Sequence, residues 1–326
     1  MTASVPSPAP APDAPLRGMA LLTLGVCIFV SQDVIIKELS GGYPVHEMLW
    51  IRCITGLPFV LLLAWRQGNP AAFRFHRIAV LRGLLHFISF TCYYLALAVL
   101  PLAEVVTLYY ANPLFITALS VPLLHEKVGP RRWMAVLVGF CGVVVVMRPD
   151  VAAVDPAMLF ALAAAFFYAC SMLVTRAGGG RVPSTGFAIH SMVMLFILSS
   201  VAGLLVGDGR FLGDGQGMFA FLLRPWLMPS GWDALLLCAI GPISAAGFIL
   251  LAEAYRIAPV SIVTPFEFTS LPVAVLFGFL FFGDFPEAAT WVGLAMIVGA
   301  GLYIVHREAV QGRKVVRGWP PMRPRL

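Results

Sequence analysis

The chain has 326 residues, of which 60% are hydrophobic and 12% charged, with a mean hydropathy of +0.89. Soluble domains carry about 25% charged residues, so there is too little polar surface here to cover a water-soluble fold. The formal charge of +6 sits in loops and the C-terminal stretch. There it reports membrane topology and contact with lipid headgroups, not nucleic-acid binding.

Residues 1–17 contain TASVPSPAPAPDAP, a Pro/Ala-rich composition that predicts disorder. The stretch lacks the basic start and cleavage site of a signal peptide. Ten apolar runs follow, at 18–37, 46–65, 78–98, 102–124, 131–148, 155–176, 184–206, 233–256, 260–282 and 288–306. Each comes close to the roughly 20 residues that cross a bilayer as a helix. Leu100–Pro101 and Ala258–Pro259 leave room only for tight helical hairpins. The longest loop, Gly207–Trp232, contains MFAFLLRPWLMP, which is expected to lie flat at the interface with Trp226 and Trp232 as anchors. Residues 307–326 form a basic tail. With the N-terminus inside, sixteen of the 22 Lys and Arg fall on the inner side and four on the outer, and Arg52 and Arg82 lie within spans. Both termini are therefore predicted to be cytoplasmic. Six cysteines, none in a CxxC pair, lie within the spans and read as small buried side chains. The sequence suggests no cofactor and no metal site.

The chain also repeats itself. A shift of 158 residues aligns Pro101 with Pro259, Val105 with Val263, Glu126 with Asp284 and Trp133 with Trp291. Spans 3–5 thus resemble spans 8–10, and the chain divides into two five-span halves, 18–150 and 151–306. Five is odd, so the second half enters the membrane in the opposite sense to the first. The predicted fold is an all-α polytopic membrane protein with ten transmembrane helices in two inverted five-helix repeats. Secondary transporters recur in this form, with the site near the midplane between the repeats.

Ionisable groups within the spans are functional candidates by default. Asp33 and Lys37 share one face of span 1, and Arg52 lies in span 2. Asp33 and Arg52 lie too deep to reach water, so each should pair with the other or with a substrate. Lys37 and Glu38 should reach the outer interface, and Glu47 should lie among the headgroups. Glu253 and Arg256 read as a local pair at the inner boundary. His86 and His190 sit in the inner thirds of spans 3 and 7.

Glu267 is the leading single candidate. With Thr264 and Ser270 it falls on one broad face of span 9, and the repeat pairs Glu267 and Ser270 with Tyr109 and Asn112 of span 4. Pro113, Pro265 and Pro272 free carbonyls at this depth, which is tolerated where backbone lines a cavity. Two polar faces would then oppose each other across a central cavity, where Glu267 could bind a cation or carry a proton. Tyr93, Tyr94, Tyr109, Tyr110, Tyr168 and Phe266 fall in or near the same zone, a lining that suits a planar or cationic solute. The predicted substrate-contacting set is Asp33, Arg52, Tyr93, Tyr109, Tyr110, Asn112, Tyr168, Glu267 and Ser270. The small residues Ala135/Gly139 and Ala295/Gly299 suggest close helix contacts in spans 5 and 10. Neither a P-loop, HExxH nor GxSxG motif occurs, which argues against an ATP-driven pump or a hydrolytic enzyme. The alternative from another class is a membrane-embedded lipid enzyme or scaffold.

These features together resemble the drug/metabolite transporter superfamily, EamA type, over spans 1 to 10. The most specific pieces are Asp33-x-x-x-Lys37, Glu47 through Arg52, the Asn112-Pro113 helix that ends in His125-Glu126, and Trp133 opening span 5. Gly283-Asp284 stands where the family usually ends in Gly-Glu. The resemblance implies a secondary carrier of a small metabolite in the bacterial inner membrane, in contact with lipids and open to homodimerisation. The first half looks most similar to S-adenosylmethionine and riboflavin uptake carriers. Exporters of amino acids, opine-type compounds or drugs share the fold.

Overall fold

The computed structural model describes residues 14–68, 70–124, 128–147, 155–178, 182–212, 217–257 and 264–318. Of the expected disordered stretch 1–17, residues 1–13 lie outside them, as do the His125-Glu126 boundary, the Ala258–Pro259 hairpin and the last residues of the basic tail, while residues 14–17 are not disordered but form the start of the first helix. No strand occurs among the described residues.

The helices follow the apolar runs. They are α1 (Ala14–Leu39), α2 (Val45–Arg66), α3 (Arg77–Leu97), α4 (Leu102–Tyr109), α5 (Asn112–Leu124), α6 (Pro130–Met147), α7 (Pro156–Ala177), α8 (Ser184–Val206), α9 (Met218–Leu223), α10 (Gly231–Ile257), α11 (Ser270–Phe277) and α12 (Ala288–Gly318). Nine helical runs among the described residues are long and apolar enough to cross a membrane, and Phe266–Phe282 is a shorter apolar tenth. The chain is therefore an all-α multi-pass membrane protein. Span 4 is not one rod, because α4 stops at Tyr109 and α5 starts at Asn112, just ahead of Pro113. Span 9 is broken likewise into a 3-10 turn (Thr264–Thr269), α11 and a π-turn (Gly278–Phe282). A proline removes a donor and clashes with the preceding turn, so the α4–α5 break and the 3-10 turn fall on the N-terminal side of Pro113 and Pro272. α12 continues beyond the expected end at His306, through residues such as Glu308, Gln311 and Lys314 that favour helix.

The packing repeats about a pseudo-two-fold axis. α1 lies on α10 as α7 lies on α3, and α2 lies on α10 as α8 lies on α3. α5 meets α7 as α11 meets α1, while α2 with α8, α6 with α12 and α4 with α11 pair across the axis. Glycines set the closest crossings. A Cβ on Gly241 would stand 2.4 Å from the Gly56 nitrogen and 2.7 Å from the Arg52 carbonyl, so α10 presses on the turn of α2 that carries Arg52. At the α6–α12 crossing a Cβ on Gly142 would lie 2.9 Å from the Gly293 carbonyl. Here the expected register of span 10 was wrong. Ala295 and Gly299 are exposed, and the face on α6 is Gly293, Ile297 and Ala300, all buried. Positions 293, 297 and 300 share one helical face, while 295 and 299 lie about 200° around the helix from it.

Three boundary expectations also change. Lys37 does not reach out to water; its Nζ donates to the Leu100 carbonyl and lies 3.5 Å from Asp284 Oδ2. Glu47 is buried, 3% exposed, and accepts from the Leu227 N–H at 3.2 Å. In the segment after α8, one expected interfacial anchor, Trp226, packs inward instead. Met218, Ala220 and Phe221 of α9 are buried, Arg224 Nη1 donates to the Ser40 carbonyl at 2.8 Å, and Trp226 rests against Gly203, His46 and Trp50. The segment is a strap over the ends of α2 and α3, and of its two expected anchors only Trp232 stays exposed. The Glu253–Arg256 pair involves the side chain of Arg256, outside the described residues.

Candidate functional site

The two helix breaks face each other. Tyr110, in the break between α4 and α5, donates its hydroxyl to the Glu267 main-chain carbonyl at 2.7 Å, and Ser270 Oγ donates to Tyr110 Oη at 2.7 Å. The carbonyl freed by one interrupted helix thus finds its donor in the other, the satisfaction that interrupted backbone needs in a membrane. Asn112 Nδ2 donates to the Tyr109 carbonyl at 2.9 Å and closes the α4–α5 turn.

Beside the breaks lies a cavity of about 340 Å³, within the roughly 300–1,000 Å³ of small-molecule sites. Asp33, Arg52, Tyr93, Tyr109, Tyr110, Asn112, Tyr168, Glu267 and Ser270 all line it. The sequence-derived set therefore converges on one space. Asp33 and Arg52 do not take each other as partners there. Tyr93 Oη donates to Asp33 Oδ2 at 2.8 Å. Arg52, 6% exposed, donates to Tyr94 Oη and lies with its guanidinium carbon 4.4 Å from the centre of the Phe90 ring. A cation over an aromatic face gains from the ring quadrupole, which helps a guanidinium stand in an apolar span.

The aromatic side chains close into a ring. Tyr93, Tyr94, Phe90, His86, Tyr168 and Tyr109 follow one another with centroids 4.9–5.9 Å apart, and Tyr109 returns to Tyr93 at 5.0 Å. Such separations are those of tilted and edge-on aromatic pairs. Four of the six come from one face of α3, spaced at 86, 90, 93 and 94 as helical periodicity requires. His86 Nδ1 lies 3.2 Å from Ser171 Oγ. His190 is not part of this group. Its Nδ1 is 2.8 Å from the Gly186 carbonyl, and its ring neighbours are Phe75 and His76. Phe266 packs beside α1, outside the cavity lining, and the Thr264 side chain is outside the described residues.

Sequence reasoning missed four polar lining residues, Gln32, Arg82, Ser191 and Ser244. Gln32 Nε2 donates to Tyr94 Oη at 2.9 Å and its Oε1 is bonded to Ser244 Oγ. With Arg52 on the same phenol, this network ties α1, α2, α3 and α10 together. A neutral amide or hydroxyl in an apolar run stands out less than a charge, and only Gln32, adjacent to Asp33, had a neighbour that could have flagged it. Arg82 carried the signal of an in-span charge, without a partner identifiable from spacing.

Comparison with known proteins agrees with this architecture. A family model described as the EamA-like transporter family matches twice, at residues 16–148 and 155–306. The chain is 31% identical over 310 residues to a riboflavin transporter of Vibrio cholerae, covering 92% of this chain and 96% of the relative. It is 26% identical over 303 residues to an S-adenosylmethionine uptake transporter of Rickettsia prowazekii, covering 90% and 94%. A solved crystal structure shares the fold at a TM-score of 0.59 and 19% identity, covering 93% of this chain and 98% of the other.

Proposed function

Because the chain belongs to the EamA-like transporter family, we propose that it takes up a small organic metabolite bearing a flat ring by alternating access across a bacterial inner membrane. The observation that carries this reading is the aromatic wall on the α3 side of the cavity beside the two helix breaks. Flat rings bind by stacking and edge contacts to such a lining. Riboflavin and S-adenosylmethionine, named for the relatives, both contain a flat heteroaromatic ring and are the first solutes to try. In this reading 18–150 and 151–306 move as two units about the cavity. The excess of Lys and Arg in alternate loops puts both termini in the cytoplasm.

Tyr93, Tyr109 and Tyr168 hold the ring of the solute, and Asn112 and Ser270 fix the helix breaks beside it. Asp33 and Arg52, held by Tyr93 and Tyr94, meet its polar groups. Glu267, at the break in span 9 and on the cavity wall, is the candidate for proton coupling. The test is uptake of labelled riboflavin and labelled S-adenosylmethionine into proteoliposomes, with and without a pH gradient. Wild-type protein accumulates one of them faster with the interior alkaline, and Glu267→Gln abolishes the effect of the gradient. Unchanged pH dependence in Glu267→Gln would remove this residue from coupling, and no uptake of either solute would reject both as substrates.

A further inference from the structure

Arg82 is a charge that the carrier reading leaves unused. It projects from the first turns of α3 and lines the cavity. Its Nη1 donates to Ser191 Oγ at 2.6 Å and to the Phe187 carbonyl at 3.3 Å, and its guanidinium lies 5.5 Å from the centre of the Phe187 ring. Its Nε is buried and has no acceptor. No carboxylate of the described residues lies within ion-pair distance of it. A guanidinium within an apolar span ordinarily pairs with an acid or faces a functional pathway. Arg82 has only a hydroxyl, a main-chain carbonyl and an aromatic face.

The acids of the cavity lie elsewhere. Asp33 is bound to Tyr93, eleven residues along α3 from Arg82, which at 1.5 Å per residue is roughly 16 Å. Glu267 stands at the span 9 break, where its carbonyl meets Tyr110. Between these acids and Arg82 runs the aromatic ring, with His86 one helical turn from Arg82 and Tyr168 tilted beside it. Along α3 the cavity thus has Arg82 at one end, flat rings with Arg52 against Phe90 in the middle, and the Asp33 carboxylate at the other end.

Building on the carrier reading, we propose that the end of the cavity at Arg82 and Ser191 is a subsite for a compact oxyanion, and that the transported solute is a flat ring carrying a carboxylate or phosphate. Guanidinium nitrogens form a planar fork that matches the oxygens of either group. The Nη atoms supply the donors, and Ser191 Oγ can turn from Arg82 to the same anion. Arg82 is then the residue that separates an acidic ring solute from its neutral counterpart.

The experiment uses purified full-length protein in nanodiscs and two ring-matched pairs of probes. Flavin mononucleotide against riboflavin isolates a phosphate, and S-adenosylmethionine against its decarboxylated form isolates a carboxylate. Binding is read by quenching of tryptophan fluorescence. The expected result is that wild type favours the acidic member of one pair by about tenfold, a typical advantage for one charge-assisted contact. Arg82→Gln brings that ratio to about one and Arg82→Lys keeps part of it, as a point charge without the fork would. The pair that responds tells phosphate from carboxylate. If Arg82 only braced α3 against α8, its loss would weaken both members of a pair together and leave the ratio in place, which would overturn the proposal. Equal wild-type affinity within both pairs would also overturn it while leaving the carrier reading intact. Absence of binding by all four probes would instead sink the flat-ring reading on which the subsite depends.

Discussion

At the residue scale, α3 places one phenol beside Asp33 and another beside Arg52. Tyr93 holds Asp33, and Tyr94 receives both Arg52 and Gln32. Removing one partner of a buried hydrogen bond leaves the other unsatisfied at about 1–3 kcal/mol. Tyr93→Phe should therefore lower the thermal stability of the detergent-solubilised protein by that amount and raise KM, because Asp33 loses the donor that orients it. A KM and Tm equal to wild type would show that Asp33 is oriented by something else. Asp33, Arg52, Glu267 and the lining tyrosines were legible in the sequence, since an Asp, Arg or Tyr stands out against a Leu/Val background and its depth in a span can be counted, whereas Arg82 had no partner to single it out. Their partners were not legible. Depth in the spans suggested that Asp33 and Arg52 would meet each other or a substrate, whereas α3 presents two adjacent phenols that take one charge each. Polar residues without charge, Gln32 and Ser244 above all, vanished into the background of their helices.

At the element scale, apolar run length was enough to find the spans, and the prolines were enough to mark where spans 4 and 9 break. The registers of helix faces were less visible. Any Leu-rich helix has several small residues, and the pair chosen on span 10 faced outward, while Gly293 and Ala300 faced α6. The crossing of α2 and α10 was not anticipated, although it fixes the turn that carries Arg52. A side chain on Gly241 would press on backbone atoms of Gly56 and Arg52, which cannot rotate out of the way. Gly241→Val should cost about 1–3 kcal/mol, the usual penalty for overpacking, seen as a lower Tm in nanodiscs. It should also reduce transport by displacing Arg52. A stable variant with wild-type KM would mean that α10 can slide on α2 without moving the site.

At the scale of the whole molecule, the odd number of spans in each repeat led to the inverted architecture, and the packing pairs repeat accordingly. What the repeat could not reveal is how the ends are fastened. On the side where α1 ends, Lys37 joins α1 to Asp284 beyond span 9 and to Leu100 before span 4. The ends of both broken spans are thus held by one side chain. A partly exposed ion pair contributes up to about 1 kcal/mol. Lys37→Met should accordingly raise the opening of this side up to about fivefold. The measurement is maleimide labelling of a cysteine at Leu100, itself 4% exposed, in a background without the native cysteines. Slower or unchanged labelling would show that Lys37 does not hold this side closed.

The cavity lining has a further consequence. The fold is symmetric about its pseudo-two-fold axis, but the walls of the cavity are not. Where α3 presents His86, Phe90 and Tyr93, the positions that the repeat pairs with them on α10 are Ser244, Phe248 and Leu251, which also line the cavity. A solute with a flat ring therefore rests off the axis, on the α3 wall, and presents a different edge to each opening. Affinity from the two sides should differ, so KM for inward and outward movement should be unequal in reconstituted vesicles. Detailed balance nevertheless ties the two directions together. If no ion is coupled, Vmax/KM must be the same both ways, whatever the individual constants. Measuring both ratios at zero gradient and then across a pH gradient would separate rectification due to a one-sided wall from true energetic coupling.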